Sequence, residues 1–384
     1  MLSFLVVGMS GASLGVMIPY MEQDYRLSDV QVSAIFLMGP AGYCIAAYST
    51  HTLHTWLGRR GISIIGSICL TCFALTGAAR PSFHVFMLAT ALGSFGNGLI
   101  DGSFCAWAAN MKNANTTSGM LHGSWSVGSA LGPFLSASMI SLEHTPWYSW
   151  YYVLAGSYAF SGCVLTYAFK DATGIKYRQA KQSEDRGDET SMTLSPLIYP
   201  IVWVYALYTL VYDGGETTVS NWLVSFMIRV RGSTPFFASV CSSAFWIGMV
   251  VGRLALGTVT DRLGTRLAVV IYLLISMMTM ILFILIDVGQ VSAVLMALLG
   301  LMLGPLFPSC VVQLVGSLPA ELHVRSVAFV ASFGQVGGAM LPYGLGAITD
   351  TFGLVTFQYM LLVQIACTLF FWSVSLTMLP SPDG

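Results

Sequence analysis

Apolar runs follow one another along this sequence, each about 20 residues long, the length that crosses a bilayer as an α-helix. Helix is the conformation that satisfies every backbone polar group within lipid, and the alternating pattern of an outer-membrane barrel is absent. Only 9% of the residues are charged, far below the quarter or so that is typical of soluble domains. The sequence therefore predicts an all-α integral membrane protein.

Twelve transmembrane helices are predicted from these runs. Their expected bounds are Ser3–Tyr20, Val30–His51, Ile62–Ala79, His84–Asn110, Ser118–Ile140, Trp147–Phe169, Ile198–Val219, Thr234–Leu256, Leu267–Ile286, Val291–Ser317, Ser326–Thr349 and Thr356–Leu379. The first run lacks the basic region and the cleavage site of a signal peptide, so we interpret it as a retained helix.

Lysine and arginine are distributed unevenly over the predicted loops and helix ends. Twelve fall on the side that holds both termini and four on the other side. The positive-inside rule therefore predicts that both termini are cytosolic, in the plasma membrane or in an internal membrane. The formal net charge is only −1, which argues against nucleic acid as a partner. The expected partners are the lipid bilayer, protons and a small solute, and the chain is expected to be a monomer.

The longest polar stretch, residues 170–195, has mixed charge and predicts a cytosolic linker. It divides the chain into a six-helix half at 1–169 and a second half at 196–384. The segment "VGSALGP" at 127–133 resembles "VGGAMLP" at 336–342, so the halves are interpreted as repeats. Repeated six-helix halves are typical of transporters that hold a substrate between them near the membrane midplane.

The segment "GRLALGTVTDRLGTR" at 252–266 resembles the loop signature of the major facilitator superfamily. The first-half copy, "WLGRR", is degraded, because Thr55 stands where the signature has aspartate. The segments "NGLIDGSFCAWAAN" and "YDGGETTVSNWLVSF" resemble the fucose-permease-like branch, especially its fungal members. The resemblance implies the major facilitator fold, with twelve helices in two pseudo-symmetric halves, and transport by alternating access.

The loop signature implies a set of gating residues. They are Gly252, Arg253, Gly257, Asp261, Arg262 and Arg266. The two glycines are expected to let neighbouring helices approach closely. Asp261 is expected to pair with one of the two arginines that follow it and so to hold the cytosolic gate closed. The alternative is an ordinary tight turn with solvated charges.

Asp101 lies near the middle of the fourth predicted helix. An acid at bilayer centre costs roughly 2.5–3.5 kcal/mol on insertion scales, so it should face a cavity or a partner. Asn97 and Cys105 lie four residues to either side, on the same helical face. The resemblance implies that an acid here takes part in proton coupling and substrate binding. The acid that a well-known member of the branch carries in its first helix is absent here.

The seventh predicted helix contains two further acids, Asp213 and Glu216. Tyr208 and Tyr212 share one face with Glu216, and Gly214–Gly215 is expected to loosen the helix. Aromatic rings and carboxylates suit a sugar, whose C–H face stacks on rings while its hydroxyls donate to acids. Alternatively this segment lies at the extracellular mouth with both acids solvated.

The candidate substrate-binding residues are Asn97, Trp125, Tyr208, Tyr212, Glu216, Trp222 and Gln335, and Glu216 is also a candidate for proton coupling beside Asp101. Trp125 and Gln335 are included because they occupy similar positions next to the repeated segments.

Three function classes compete. The first is a proton-coupled transporter of a small polar solute, for which a sugar is the expected class. The second is a transporter of monocarboxylates or other organic anions, which normally needs a cation near the midplane. Every lysine and arginine is expected near a helix end, Arg253 being one turn inside the eighth helix. The third is a nutrient sensor on the same fold. The sequence has no P-loop, HExxH or nucleophile elbow and no metal-ligand spacing, so neither an enzyme nor a cofactor is predicted.

Overall fold

The computed structural model describes residues 1–109, 111, 114–141, 144–178, 198–319 and 322–378. The α-helices are α1 (Leu2–Tyr25), α2 (Asp29–Ser33), α3 (Met38–Ala78), α4 (Phe83–Ala109), α5 (Ala114–Ser141), α6 (Trp150–Ala168), α7 (Pro200–Arg229), α8 (Pro235–Leu263), α9 (Thr265–Leu285), α10 (Gly289–Leu303), α11 (Leu306–Val315), α12 (His323–Phe352) and α13 (Thr356–Thr377). Short 3₁₀ segments, Ala34–Leu37 and Trp147–Ser149, precede α3 and α6.

Each predicted transmembrane run falls on these helices, which confirms the all-α membrane fold. Eight stretches are long and apolar enough to cross a membrane by length and composition. The predicted ends Asn110 and Leu379, and residues 179–195 of the predicted linker, lie outside the described residues.

The helices of the structure differ from the predicted apolar runs at two places. The predicted loop between the second and third runs is a single kink at Gly58, where φ is 68° inside α3. A side chain is disfavoured in that conformation, which glycine adopts freely. The tenth run is divided into α10 and α11 next to Pro305, because proline cannot donate the backbone hydrogen bond that would continue the helix.

The helices pack into two compact units. The first unit consists of Met1–Ser13 and Leu37–Thr193, and the second of Leu14–Phe36 and Leu194–Gly384. Leu14–Phe36 thus belongs with the later part of the chain. The division into halves at 1–169 and 196–384 stays a prediction.

Equivalent glycines lie at equivalent helix crossings in the two units. A Cβ on Gly128 of α5 would overlap the carbonyl oxygen of Leu5 in α1. A Cβ on Gly337 of α12 would overlap the carbonyl oxygen of Leu210 in α7 in the same way. Both glycines are the second residue of the repeated segments, so the sequence repeat corresponds to a repeated backbone-to-backbone helix crossing.

Candidate functional site

Asp101 is held by two side-chain donors in the first unit. The Tyr43 hydroxyl donates to Oδ2 at 2.8 Å, and the Cys105 thiol donates to Oδ1 at 3.4 Å. Within the described part of the chain, Asp101 has no lysine or arginine partner within ion-pair distance. The carboxylate is therefore half-buried, bonded by neutral donors and not tied to a compensating cation.

The Cys105 contact follows from helical spacing, whereas the Tyr43 contact was missed. Tyr43 lies on α3, 58 residues earlier in the chain, and helical periodicity carries no information about that distance. The glycine beside it, Gly42, is the available signal: a Cβ there would overlap the Ala91 carbonyl oxygen of α4. This close approach places Tyr43 beside α4. Asn97, on the same helical face four residues before Asp101, makes no side-chain hydrogen bond with any described residue.

Glu216 forms the centre of a second charged cluster, inside the second unit. Its Oε2 accepts from the Tyr212 hydroxyl at 2.9 Å and lies 3.6 Å from Nη2 of Arg253. The Tyr212 hydroxyl also contacts the carbonyl oxygen of Leu303 at 3.1 Å. Glu216 is only 7% exposed, so the acid is charge-paired within the helix packing and not solvated at a mouth.

The position of Arg253 corrects the expectation that cations lie only at helix ends. The eighth run was expected to end at Leu256, but α8 continues to Leu263, so Arg253 lies about three turns inside it. The apolar run stops where polar residues begin, whereas the helix continues through them. The loop signature had grouped Arg253 with the gating residues, and the structure pairs it with Glu216.

Asp213, three residues before Glu216 on α7, makes no ion pair with any described residue. Its carboxylate packs against Gly334 on α12, where a Cβ on the glycine would overlap Oδ2. The expectation that Gly214–Gly215 loosens the helix is wrong, because α7 runs unbroken from Pro200 to Arg229. Gly214 instead allows close packing, because a Cβ there would overlap the side chain of Leu341.

Two of the predicted substrate-binding aromatics are fully buried in the second unit. Tyr208 stacks on Tyr212 with ring centroids 6.2 Å apart, and its hydroxyl contacts the Leu306 carbonyl oxygen at 3.5 Å. Trp222 donates from Nε1 to the Pro342 carbonyl oxygen at 3.0 Å. In this structure both rings serve packing, and their contact with a substrate stays a prediction.

The other predicted residues are less buried. Asn97 and Trp125 are partly exposed in the first unit, and Gln335 is exposed on α12 of the second. Each is therefore accessible within its own unit, which a substrate-binding side chain requires.

The residues of the loop signature differ in what surrounds them. Gly252 allows a close approach, because a Cβ there would overlap the Leu301 carbonyl oxygen of α10, but Gly257 faces open space. Asp261 and Arg262 are exposed and make no hydrogen bond or ion pair with any described residue. The backbone of Arg266 accepts a hydrogen bond from Trp372 at 3.3 Å. The ion pair by which Asp261 would hold the cytosolic gate closed stays a prediction.

A family model described as Major Facilitator Superfamily matches residues 1–342 and again 205–383. The chain belongs to the major facilitator superfamily. The membership confirms the resemblance seen in the loop signature, the multi-pass membrane location and the expectation of a transporter and not an enzyme. The narrower resemblance to the fucose-permease-like branch stays a prediction.

Three curated relatives cover nearly the whole chain. Bypass of stop codon protein 6 of Saccharomyces cerevisiae is 26% identical, over 97% of this chain and 81% of the relative. The glucose/mannose transporter GlcP of Bacillus subtilis is 23% identical, over 94% and 92%. The cyanate transport protein CynX of Escherichia coli is 22% identical, over 89% and 86%.

A solved structure of similar fold is the crystal structure of a D-xylose-proton symporter. The TM-score is 0.75 at 13% sequence identity, and the match covers 97% of this chain and 95% of the symporter. At that identity the likeness concerns the fold alone.

Proposed function

We propose that this protein transports a sugar together with protons, and that Asp101 carries the proton. The observation that carries the proposal is the Asp101 carboxylate, bonded by Tyr43 and Cys105 at 2.8 and 3.4 Å and without a cation partner among the described residues. Protonation of such an acid removes a charge that no lysine or arginine in the described part of the chain compensates. The transporter can then close over a dry site at lower free energy.

A neutral solute is favoured by the charge balance of the second cluster. The positive charge of Arg253 is compensated by Glu216, and the Tyr212 hydroxyl bonds the same carboxylate. A sugar can bond to such groups through its hydroxyls without adding charge. The relative that is named a glucose/mannose transporter supports the same class.

The rest of the predicted site belongs to the same proposal. Asn97, Trp125 and Gln335 are its accessible candidates for contact with the solute. The exposed charges at Asp261 and Arg262 are proposed to pair only when the cytosolic side closes. Both termini are proposed to face the cytosol, and the coupled proton moves down its gradient with the solute.

One observation favours the second class, a transporter of organic anions. Arg253 lies deep in α8, and one relative is named a cyanate transport protein. In that case a carboxylate-like solute would replace Glu216 as the partner of Arg253, which requires Glu216 to be neutralised first.

The test is proton movement in proteoliposomes that contain a trapped pH dye. Hexoses, pentoses and small monocarboxylates are added one at a time to the wild type, to Asp101→Asn and to the exposed control Asp171→Asn. The proposal expects acidification with a sugar in the wild type and the control, and none in Asp101→Asn, which still exchanges labelled sugar across the membrane.

Other outcomes decide between the alternatives. Acidification only with monocarboxylates would support the anion transporter. Undiminished acidification in Asp101→Asn would remove Asp101 from coupling. Absence of any solute flux across the panel, with protein shown to be folded in the vesicles, would contradict sugar transport and favour a sensor.

A further inference from the structure

The start of the predicted linker packs against the kink of α3, within the first unit. Arg178 donates from Nη1 to the Thr55 carbonyl oxygen at 2.7 Å, and the Arg60 amide donates to the Ala172 carbonyl oxygen at 3.1 Å. A Cβ on Gly58 would overlap the same Ala172 oxygen. Backbone contacts therefore fix the position of one segment on the other.

This contact brings positive charges together on one surface. The two segments, residues 54–60 and 170–178, carry the cations Arg59, Arg60, Lys170, Lys176 and Arg178 and the single acid Asp171. Arg60 Nη1 contacts the Lys170 carbonyl oxygen at 3.5 Å, and the side chains of Arg60, Lys170 and Lys176 are exposed. None of these three forms an ion pair with a described acid. We call Arg60, Lys170 and Lys176 the basic patch.

Exposed aromatic and aliphatic side chains border the basic patch. Lys170 Nζ lies 5.0 Å from the centre of the Tyr167 ring, and Tyr167 and Trp56 are each 73% exposed. Ile175, directly before Lys176, is exposed as well. Aromatic rings next to basic residues are typical of the interface between membrane and water, where lipid headgroups lie. We therefore expect the basic patch to lie at the level of the headgroups.

A cavity of about 230 Å³ lies where α1, α4, α5 and α6 meet, also within the first unit. The described side chains that line it are apolar or aromatic apart from two serines. Phe169 packs edge-on against Phe104 and Trp107 there, with ring centroids 4.9 and 5.4 Å apart. Val164 and Ala168 line the cavity and are exposed, so it lies at the outer surface of α6. An apolar cavity of about 150 Å³ can bind a small hydrocarbon, and this one is larger.

We propose that the first unit binds an anionic phospholipid, with the phosphate on the basic patch and part of one acyl chain in this cavity. Phe169 lines the cavity and Lys170 follows it directly in the chain, so one lipid can reach both. The cations favour an anionic headgroup over a zwitterionic one. The cavity adds apolar burial, which a soluble phosphate compound cannot use.

The test of the headgroup contact is lipid binding to the purified full chain, measured by native mass spectrometry. Phosphatidylglycerol and phosphatidylcholine with identical acyl chains are compared. We expect the wild type to bind phosphatidylglycerol about tenfold more tightly, and Lys170→Gln and Arg60→Gln each to lose about fivefold for that lipid alone. Lys170→Arg keeps the charge and should bind as the wild type does. Arg26→Gln removes an exposed arginine outside the patch and is the matched control.

The contact of the acyl chain is tested by filling the cavity. Ala168→Trp places a large ring among the lining residues and should weaken binding of phosphatidylglycerol about fivefold. Ala159→Trp makes the same change at an exposed position of α6 that does not line the cavity, and it should bind normally. Size-exclusion profiles of all variants show that they are folded.

Several results would overturn the proposal. Equal affinity for the two lipids would mean that the surface selects no headgroup, and an equal loss in Arg26→Gln would mean that total charge decides binding. Normal binding by Ala168→Trp would exclude the cavity. Displacement of the lipid by glycerol phosphate at an equal concentration would assign the patch to a soluble phosphate compound. The readout needs no transport, so a failure of sugar uptake would leave this result standing.

Discussion

Arg253 Nη2 lies 3.6 Å from Glu216 Oε2, and both groups are held inside helices that the sequence presents as apolar runs. Their side chains are only 20% and 9% exposed, so neither charge is well hydrated. A buried pair of this kind is costly to break from one side, because the remaining charge loses its opposite charge.

Arg253→Met is therefore expected to destabilise the protein by about 3–5 kcal/mol, the range for breaking a buried pair. In the double variant Arg253→Met/Glu216→Gln, more than half of that loss should be recovered, since no uncompensated charge is left on Glu216. Thermal unfolding in detergent measures both, with Arg26→Met as an exposed control. A double variant no more stable than the single one would show that the pair contributes through packing alone.

Tyr43→Phe removes the hydroxyl that donates to Asp101 at 2.8 Å. A hydrogen bond to a charged group contributes roughly 1.5–3 kcal/mol, and Asp101 is partly exposed, so the low end applies. Proton-coupled uptake by Tyr43→Phe is therefore expected to fall by about tenfold, because Asp101 loses one of its two side-chain donors.

The control for this measurement is Tyr152→Phe, which changes an exposed tyrosine. Undiminished uptake by Tyr43→Phe would mean that the hydroxyl does not contribute to the function of Asp101.

Gly128→Ala and Gly337→Ala are expected to destabilise their units, because the added methyl overlaps the carbonyl oxygens of Leu5 and Leu210. Overpacking of this kind costs about 1–3 kcal/mol. Gly11→Ala and Gly344→Ala, in α1 and α12, meet nothing within 4 Å and should be neutral or slightly stabilising. Unfolding midpoints of the four variants test the repeated crossing. If Gly128→Ala and Gly337→Ala were as stable as Gly11→Ala and Gly344→Ala, the repeated crossing would be contradicted.

The variants Gly252→Ala and Gly257→Ala distinguish the packing roles of the two glycines of the loop signature. The first places a methyl against the Leu301 carbonyl oxygen and should lower expression and stability. The second faces open space and should fold normally. Size-exclusion profiles and unfolding midpoints measure the difference. If Gly257→Ala is the less stable of the two, the packing of α8 against α10 is not what the signature glycines serve.

The sequence predicts local features of the site well. Cys105 bonds Asp101 because residues four apart on a helix share a face, whatever the rest of the chain does. The same rule brings Tyr212 to Glu216, four residues away on α7, at 2.9 Å. The repeated segments likewise mark helix crossings, since only glycine permits backbone contact there.

Helical periodicity could not predict the contacts between different helices. Tyr43 with Asp101, Arg253 with Glu216, and Arg229 with Asp29 join residues that periodicity cannot relate. The prediction for Arg253 failed for a related reason. An apolar run shows how much of a helix can face lipid, whereas the end of the helix depends on backbone hydrogen bonding that polar residues also satisfy.

By itself the sequence determined that the chain is a bundle of transmembrane helices, because lipid offers no other partner to the backbone and little tolerance for charge. It also determined which charges must be accounted for, since any acid within such a run needs a partner or a cavity. Only the tertiary structure decided which partner each charge has. Asp101 has neutral donors, Glu216 has Arg253, and Asp29 has Arg229, because those pairings depend on which helix faces pack together in space.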